Sequence, residues 1–353
     1  MMDEMSPDTL VLDRHPVSVT LVAWSPDATV LATSDGVMTR LWDTSGASIA
    51  ELTIQPATVT ALSWSLDSQT LATGDSAGSV TLWTRDGAQV SRIQVSDLDV
   101  PVPIASVAWS PAEPILATAF VHPPDSATST APVSLPATVQ LWQPDGTQVR
   151  TLEIDYSFRG VVHLAWSADG SRLAAGGNDI HVWDADGEEL FVVEGGEYHF
   201  HPSIAFAPNG DLLAFTDVAG TLHIHSVTGA PPLSGGTVAV DRAVVFSPDS
   251  ARVAVATDNL LIVLASENPG GDRVNALTSG VQTAPVWSPD SAMLAVGVAQ
   301  RAVQVVTPDG DSVAIMPDCE GMVTTVAWSP DGARLAAGFA DGQVCFWDAP
   351  SIE

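Results

Sequence analysis

Short apolar segments alternate with sharp turns along the whole chain, and no stretch shows the period of a helix. One phrase recurs: an apolar segment, then an aromatic residue, then Ser-Pro-Asp or a close variant. The aromatic residues of this phrase are Trp24, Trp64, Trp109, Trp166, Phe206, Phe246, Trp287 and Trp328. By subtraction, successive members lie 40, 45, 57, 40, 40, 41 and 41 residues apart. This period matches a four-stranded propeller blade, whose strands we name a, b, c and d.

A second phrase follows each first one and is a short segment that ends in Leu-Trp or a similar pair. Its final positions are Trp42, Trp83, Trp142, Trp183, His225, Leu264, Val306 and Trp347. All eleven tryptophans fall in these two repeated positions, which suits packing between neighbouring blades. Asp-Gly pairs between strands c and d favour tight hairpins, because glycine accepts a positive φ.

The pattern therefore predicts an all-β fold, an eight-bladed β-propeller with four-stranded antiparallel blades, as a single domain over residues 1–353. The chain stops after strand c of the eighth repeat, so this blade lacks its outer strand. A spare apolar segment, Thr9–Leu12, precedes the first strand a. We expect it to pair into the last blade and close the ring, which removes two open sheet edges.

These repeats resemble the WD-repeat β-propeller family in a degenerate, bacterial-type form. Trp-Asp itself is present at Trp42-Asp43, Trp183-Asp184 and Trp347-Asp348. The family's Gly-His before strand a is present only as Arg14-His15, and its b–c turn Asp fits well only at Asp341. The hydrogen-bonded His-Ser-Asp-Trp tetrad of the family is therefore expected to be mostly absent. The resemblance implies a scaffold for protein–protein interaction, with no enzymatic activity and no cofactor.

The net charge of the chain favours some classes of binding partner and argues against others. The chain has 42 acidic residues against 12 basic ones, all of them Arg, for a net charge of -30. Such a charge repels phosphates and anionic lipids, so it argues against nucleic acid and membrane partners and favours a protein or peptide with a basic patch. The N-terminus lacks a signal-peptide pattern, and the two cysteines, Cys319 and Cys345, predict no disulfide framework. These features predict a cytoplasmic protein.

Two short motifs suggest chemistry but have structural explanations. Gly74–Gly78 matches GxSxG around Ser76, yet a nucleophile elbow needs a helix after the serine, and a strand is predicted here. Asp184–Glu188 resembles part of a calcium loop, but similar Asp-Gly pairs recur in the c–d hairpins. We therefore predict no catalytic residue, and a hydrolase is the least favoured function.

The distribution of histidines suggests an alternative function, metal binding. Six of the eight lie between residues 163 and 225, including the pairs His199/His201 and His223/His225. A His-x-His strand places both rings on one face, which suits Zn²⁺ or Ni²⁺. A metal-binding or metal-trafficking propeller using His199, His201 and His223 is thus the alternative. Against it, His201 and His225 occupy positions that suit core packing.

The strongest functional signal lies in the d–a and b–c loops, which share the top rim in the resembled family. Both tyrosines of the chain lie in the d–a loops of blades 4 and 5, and the b–c loop of blade 3 carries an insertion at about 120–137. Aromatic residues and Arg commonly anchor interfaces. The predicted partner surface consists of Phe120, His122, Tyr156, Phe158, Arg159, Tyr198 and Phe200. Alternatively, these aromatic side chains fold inward and plug the ring.

Overall fold

The structure of the chain is a computed structural model. It describes residues 9–95, 101–121, 135–157, 163–177, 179–194, 203–216, 221–227, 233–237, 243–257, 260–271, 273–277, 280–299, 301–316, 319 and 321–351. Within these ranges the regular secondary structure consists of β-strands. No helix in this part of the chain is long and apolar enough to cross a membrane.

The strands of blades 1 to 4 follow one another along the chain. Strand β1 is Thr9–Val11, and blade 1 contains β2 (Leu21–Trp24), β3 (Val30–Ser34), β4 (Met38–Asp43) and β5 (Ser48–Thr53). Blade 2 contains β6 (Val59–Trp64), β7 (Thr70–Asp75), β8 (Ser79–Thr84) and β9 (Gln89–Gln94). Blade 3 contains β10 (Ile104–Trp109), β11 (Leu116–Val121), β12 (Leu135–Trp142) and β13 (Gln148–Ser157). Blade 4 contains β14 (His163–Trp166), β15 (Arg172–Gly176), β16 (Ile180–Asp184) and β17 (Glu189–Val193).

Blades 5 to 8 repeat the arrangement. Blade 5 contains β18 (Ile204–Phe206), β19 (Leu212–Thr216), β20 (Thr221–Ser226) and β21 (Leu233–Thr237). Blade 6 contains β22 (Ala243–Phe246), β23 (Arg252–Ala256), β24 (Leu261–Ala265) and β25 (Arg273–Leu277). Blade 7 contains β26 (Val286–Trp287), β27 (Leu294–Val298), β28 (Ala302–Val306) and β29 (Ser312–Met316). Blade 8 contains β30 (Val323–Trp328), β31 (Arg334–Phe339) and β32 (Val344–Asp348), with β1 as its fourth strand.

The described strands form eight four-stranded antiparallel sheets, each ordered a, b, c, d. The predicted all-β, eight-bladed β-propeller fold is thereby confirmed. Two compact units divide the blades: Met1–Leu52 with Asp241–Glu353, and Thr53–Val240. The first unit holds blades 6, 7 and 8 with blade 1, and the second holds blades 2 to 5. The single domain over 1–353 stays a prediction.

In each described blade, paired residues on strands a, b and c form a row that includes both repeated aromatic positions. In blade 1, Trp24 on strand a pairs with Leu31 on strand b, which pairs with Trp42 on strand c. All three side chains are buried. The described blades repeat this row, and every strand a ends at the aromatic residue that the sequence pattern marked. The row buries large apolar area on both sides of strand b, and this burial stabilises the blade.

The Ser-Pro-Asp phrase forms the turn between strands a and b. In six described turns the serine Oγ donates to the Asp Oδ1 at 2.5 to 2.7 Å. The fourth residue of the turn has a positive φ, as at Ala28 and Ser68, both with φ 59°. In blade 4 the hydrogen bond from Ser167 is the main reason that the pKa of Asp169 falls to about 2. The phrase is therefore a capped turn that reverses the chain.

The N-terminal strand supplies the outer strand of blade 8. Strand β1 pairs antiparallel with β32, so that Val11 lies opposite Cys345. Leu12 continues the contact, because its N–H donates to the carbonyl of Val344 at 3.0 Å and its side chain is only 5% exposed. Gly46 lies against this strand, and its φ of 81° favours glycine because other residues rarely adopt that conformation.

A disulfide bond joins Cys319 and Cys345, so the expectation of no disulfide framework was wrong. Cys319 lies between β29 and β30, whereas Cys345 lies on β32. The two residues are 26 positions apart in sequence. Folding brings them together because the segment that leads into blade 8 packs against strand c of the same blade, in a shared apolar cluster with Phe339.

Candidate interaction surface

Each blade has two ends that carry different loops. Because the strands are antiparallel, the segment that enters strand a and the b–c turn lie at one end, which we call the top end. The a–b and c–d turns lie at the other end. Two of the predicted site residues lie within the described ranges, Phe120 on β11 and Tyr156 on β13, both in blade 3.

A buried hydrogen-bonded chain organises the top end of blade 1. The indole N–H of Trp42 donates to Thr33 Oγ1 at 2.8 Å, and Thr33 Oγ1 lies 2.8 Å from His15 Nε2. His15 Nδ1 faces Asp35 Oδ2 at 3.5 Å, with both side chains fully buried. Burial lowers the pKa of His15, although the Asp35 carboxylate opposes this shift. Burial therefore favours the neutral form of the ring.

This arrangement corrects one expectation, because the b–c turn Asp is present at Asp35 and Asp75 as well as at Asp341. Blade 1 holds a complete tetrad, with Thr33 in the place of serine. Asp75 Oδ1 accepts hydrogen bonds from the N–H groups of Ala77 and Ser79 at 2.8 and 2.9 Å. In blade 2 no histidine pairs with Asp75; instead Arg92 lies 3.0 Å from its buried carboxylate.

Replacing Thr33 by Val is expected to destabilise the protein by about 2 kcal/mol, because the change leaves two buried polar groups without a partner. These groups are the indole N–H of Trp42 and Nε2 of His15. Thr118→Val is the matched control, since Thr118 Oγ1 accepts the indole N–H of Trp142 at 3.0 Å and donates weakly to the carbonyl of Gln140 at 3.4 Å, so this variant removes the same indole contact without affecting a histidine. Urea denaturation of both variants measures the difference. An equal loss of unfolding free energy in the two variants would contradict the stabilising role of the hydrogen bond between Thr33 and His15.

Ser76 lies in the b–c turn of blade 2, between β7 and β8. Its Oγ accepts a hydrogen bond from the N–H of Thr58 at 3.0 Å, and its own N–H donates to the carbonyl of Thr58 at 2.8 Å. A strand follows the serine, so the strand-to-helix geometry of a nucleophile elbow is missing at this position. Ser76 holds the segment that leads into strand a.

Blade 3 has an extended c–d pair at its top end. Strand β12 has 8 residues and β13 has 10, and Leu135 pairs with Ser157 beyond the end of β11. The insertion was expected to begin at Phe120, but Phe120 pairs with Thr138 within the sheet. Its side chain is 3% exposed and packs in an apolar cluster. Phe120 is therefore a core residue and is removed from the predicted partner surface.

The other predicted contacts divide into two groups. Tyr156 belongs to β13 and not to a d–a loop, which corrects its expected position. The remaining predicted contacts lie outside the described residues: His122, Phe158, Arg159, Tyr198 and Phe200. Their role stays a prediction.

The histidines of the metal hypothesis are only partly within the described ranges, since His199 and His201 lie outside them. His223 stacks on Phe215 with ring centroids 5.1 Å apart, and His225 contacts the same ring at 5.1 Å. The half-buried rings thus pack on an aromatic side chain. Among the described residues no group of three or more His, Cys, Asp or Glu side chains could hold a metal ion.

Comparison with known proteins matches the family model described as "WD domain, G-beta repeat" to residues 46–84, 146–184 and 310–348. Each match covers an outer strand and then strands a, b and c of the next blade. These three repeat matches and the eight four-stranded blades support a WD-repeat β-propeller. A search of curated proteins finds no match.

The unmatched blades of this WD-repeat propeller include those with the weakest repeats. In blades 5, 6 and 7 the strand c tryptophan is replaced by His225, Leu264 and Val306. WD-repeat propellers are typically non-enzymatic scaffolds that commonly bind protein partners. A protein-interaction scaffold is therefore the general function that the family indicates.

Proposed function

We propose that this propeller is a non-enzymatic scaffold that holds a protein or peptide partner at the top end of blades 3 to 5. The contacts would come from His122, Tyr156, Phe158, Arg159, Tyr198 and Phe200. One observation carries the proposal: the β12–β13 pair extends past the other strands of blade 3, and its outer strand includes Tyr156. A projecting strand pair beside an insertion offers a partner more contact area than short turns do.

The chemistry of these residues supports a protein partner. Tyr and Phe offer large apolar area with few rotatable bonds, and Arg159 can pair bidentately with a carboxylate. The net charge of -30 favours a partner with a basic patch and disfavours nucleic acid and anionic membranes. The cytoplasmic location is part of the same proposal.

Changing Tyr156, Phe158 and Tyr198 together to Ala is expected to weaken binding of the partner. The expected loss of binding free energy is at least ~2 kcal/mol, or about 30-fold in Kd, which is the usual scale for interface anchors. A pull-down from the native host with mass spectrometry would identify the partner, and calorimetry with the purified partner would measure the loss. Melting of the variant should match the parent protein.

The control is Val90→Ala on β9, because Val90 is exposed on an outer strand of blade 2. Full affinity in the folded triple variant would contradict the proposed surface. Unfolding of the triple variant would instead show that the aromatic residues plug the propeller.

A further inference from the structure

Three large apolar side chains are exposed at the top ends of blades 1 and 8. Val17 is 50% exposed, Val37 is 42% exposed and Met322 is 51% exposed. Among the described residues, the other exposed large apolar side chains lie on outer strands or, for Leu66, in an a–b turn. Clustered exposed apolar area on a soluble protein commonly marks a binding surface.

The segments that carry Met322 and Val17 touch through the b–c turn of blade 8. The N–H of Ala340 donates to the carbonyl of Met322 at 2.9 Å. On the other side, a Cβ at Gly342 would lie 3.0 Å from the carbonyl oxygen of Val17. The segments that carry Met322 and Val17 therefore lie on either side of the b–c turn of blade 8.

The buried tetrad of blade 1 links Val37 to the segment that carries Val17. The Asp35 carboxylate faces His15 and accepts the N–H of Val37 at 2.8 Å. Arg40 Nη1 donates to the carbonyl oxygens of Asp13 and Arg14 at 3.2 and 2.8 Å. These bonds hold both segments in place before any partner binds, so binding would cost little ordering entropy.

Charged groups at the same place indicate the chemistry of the partner. Arg14 and Asp341 are exposed and form an ion pair at 3.3 Å, and Asp13 is exposed beside them. An exposed ion pair contributes little to stability, so a cationic group can share the Asp341 carboxylate at small cost. The net charge of -30 attracts cationic partners and opposes contact with a second copy of the chain.

We propose that Val17, Val37, Met322, Arg14 and Asp341 form a second binding surface, which we call the closing-blade surface. Its partner is a basic peptide segment with aliphatic or aromatic anchors. The anchors cover Val17, Val37 and Met322, while a Lys or Arg of the segment pairs with Asp341. This surface is independent of the proposed site on blades 3 to 5.

A short synthetic peptide of leucine and lysine, carrying a photoreactive benzophenone group, tests the proposal. Fluorescence anisotropy measures its affinity, and mass spectrometry locates the cross-links. We expect cross-links at Met322 and Val17, and about tenfold weaker binding for the double variant Val17→Asp, Met322→Asp. Because the new carboxylates attract the peptide, weaker binding reports the lost apolar contact.

The matched control is Leu66→Asp with Val90→Asp, which adds the same charge at two side chains that are each 55% exposed. This control should bind the peptide at least as well as the parent protein. Equal weakening in both double variants, or cross-links that fall mainly outside the closing-blade surface, would overturn the proposal. So would equal binding of a peptide with glutamate in place of lysine, or a dimer in ultracentrifugation that the Val17 and Met322 changes abolish.

Discussion

Deleting residues 1–12 is expected to lower the free energy of unfolding by about 4 kcal/mol. The deletion removes β1, which pairs with β32, and Leu12, which packs in the apolar cluster that includes Trp24 and Phe346. Burial of Leu12 accounts for about 2 kcal/mol of this loss, and the lost backbone pairing accounts for the rest. The open edge of β32 should also promote association between chains.

Urea denaturation and size-exclusion chromatography measure these two effects. Deleting only residues 1–8 is the control, because this shorter deletion leaves β1 in place and should preserve stability. A protein without residues 1–12 that unfolds at the same urea concentration as the full chain would contradict the role of the N-terminal strand.

Reduction of the Cys319–Cys345 disulfide is expected to lower the free energy of unfolding by about 3 kcal/mol. The cross-link spans 26 positions and encloses β30 and β31, so it restricts the unfolded chain. It also ties β32, the partner of β1, to the segment that follows blade 7. Urea denaturation with and without a reductant measures the loss.

The variant with both cysteines changed to Ser should match the reduced protein and should not respond to reductant. A parent protein whose stability is unchanged by complete reduction, verified by thiol alkylation, would contradict this prediction. Disulfides persist in oxidising compartments and are rare in the cytosol. Trapping thiols in intact cells therefore also tests the predicted cytoplasmic location.

The repeated core was predictable from sequence because its signal is local and is repeated. Trp64 ends strand a, Leu71 lies opposite it on strand b, and Trp83 lies opposite Leu71 on strand c. Each of these positions is set by strand alternation and by the spacing of one repeat. In repeat 2 the sequence predicts strands at Val59–Trp64, Thr70–Thr73, Ser79–Trp83 and Gln89–Ile93, which begin at the observed residues and end within two residues of the observed ends.

Contacts between distant segments were the features that sequence reasoning missed. Asp35 was not recognised, because its role depends on His15 arriving from the segment before strand a. The pairing of Cys319 with Cys345 has no local spacing rule. Phe120 resembled a loop anchor beside a Pro-rich stretch, but β11 continues through it and buries it. A b–c turn Asp followed by Gly, as in Asp35-Gly36, is the signal that could have revealed the tetrad.

By itself the sequence determined the strand order, the repeat length and the acidic character of this propeller, because each follows from residue type and spacing along one chain. Only the tertiary structure decided which polar residues are buried and which apolar residues stay exposed. Val17 and Val19 are two residues apart with the same side chain, yet Val17 is exposed and Val19 is buried against blade 8. Exposure depends on the atoms that other segments place nearby, and no single repeat contains that information.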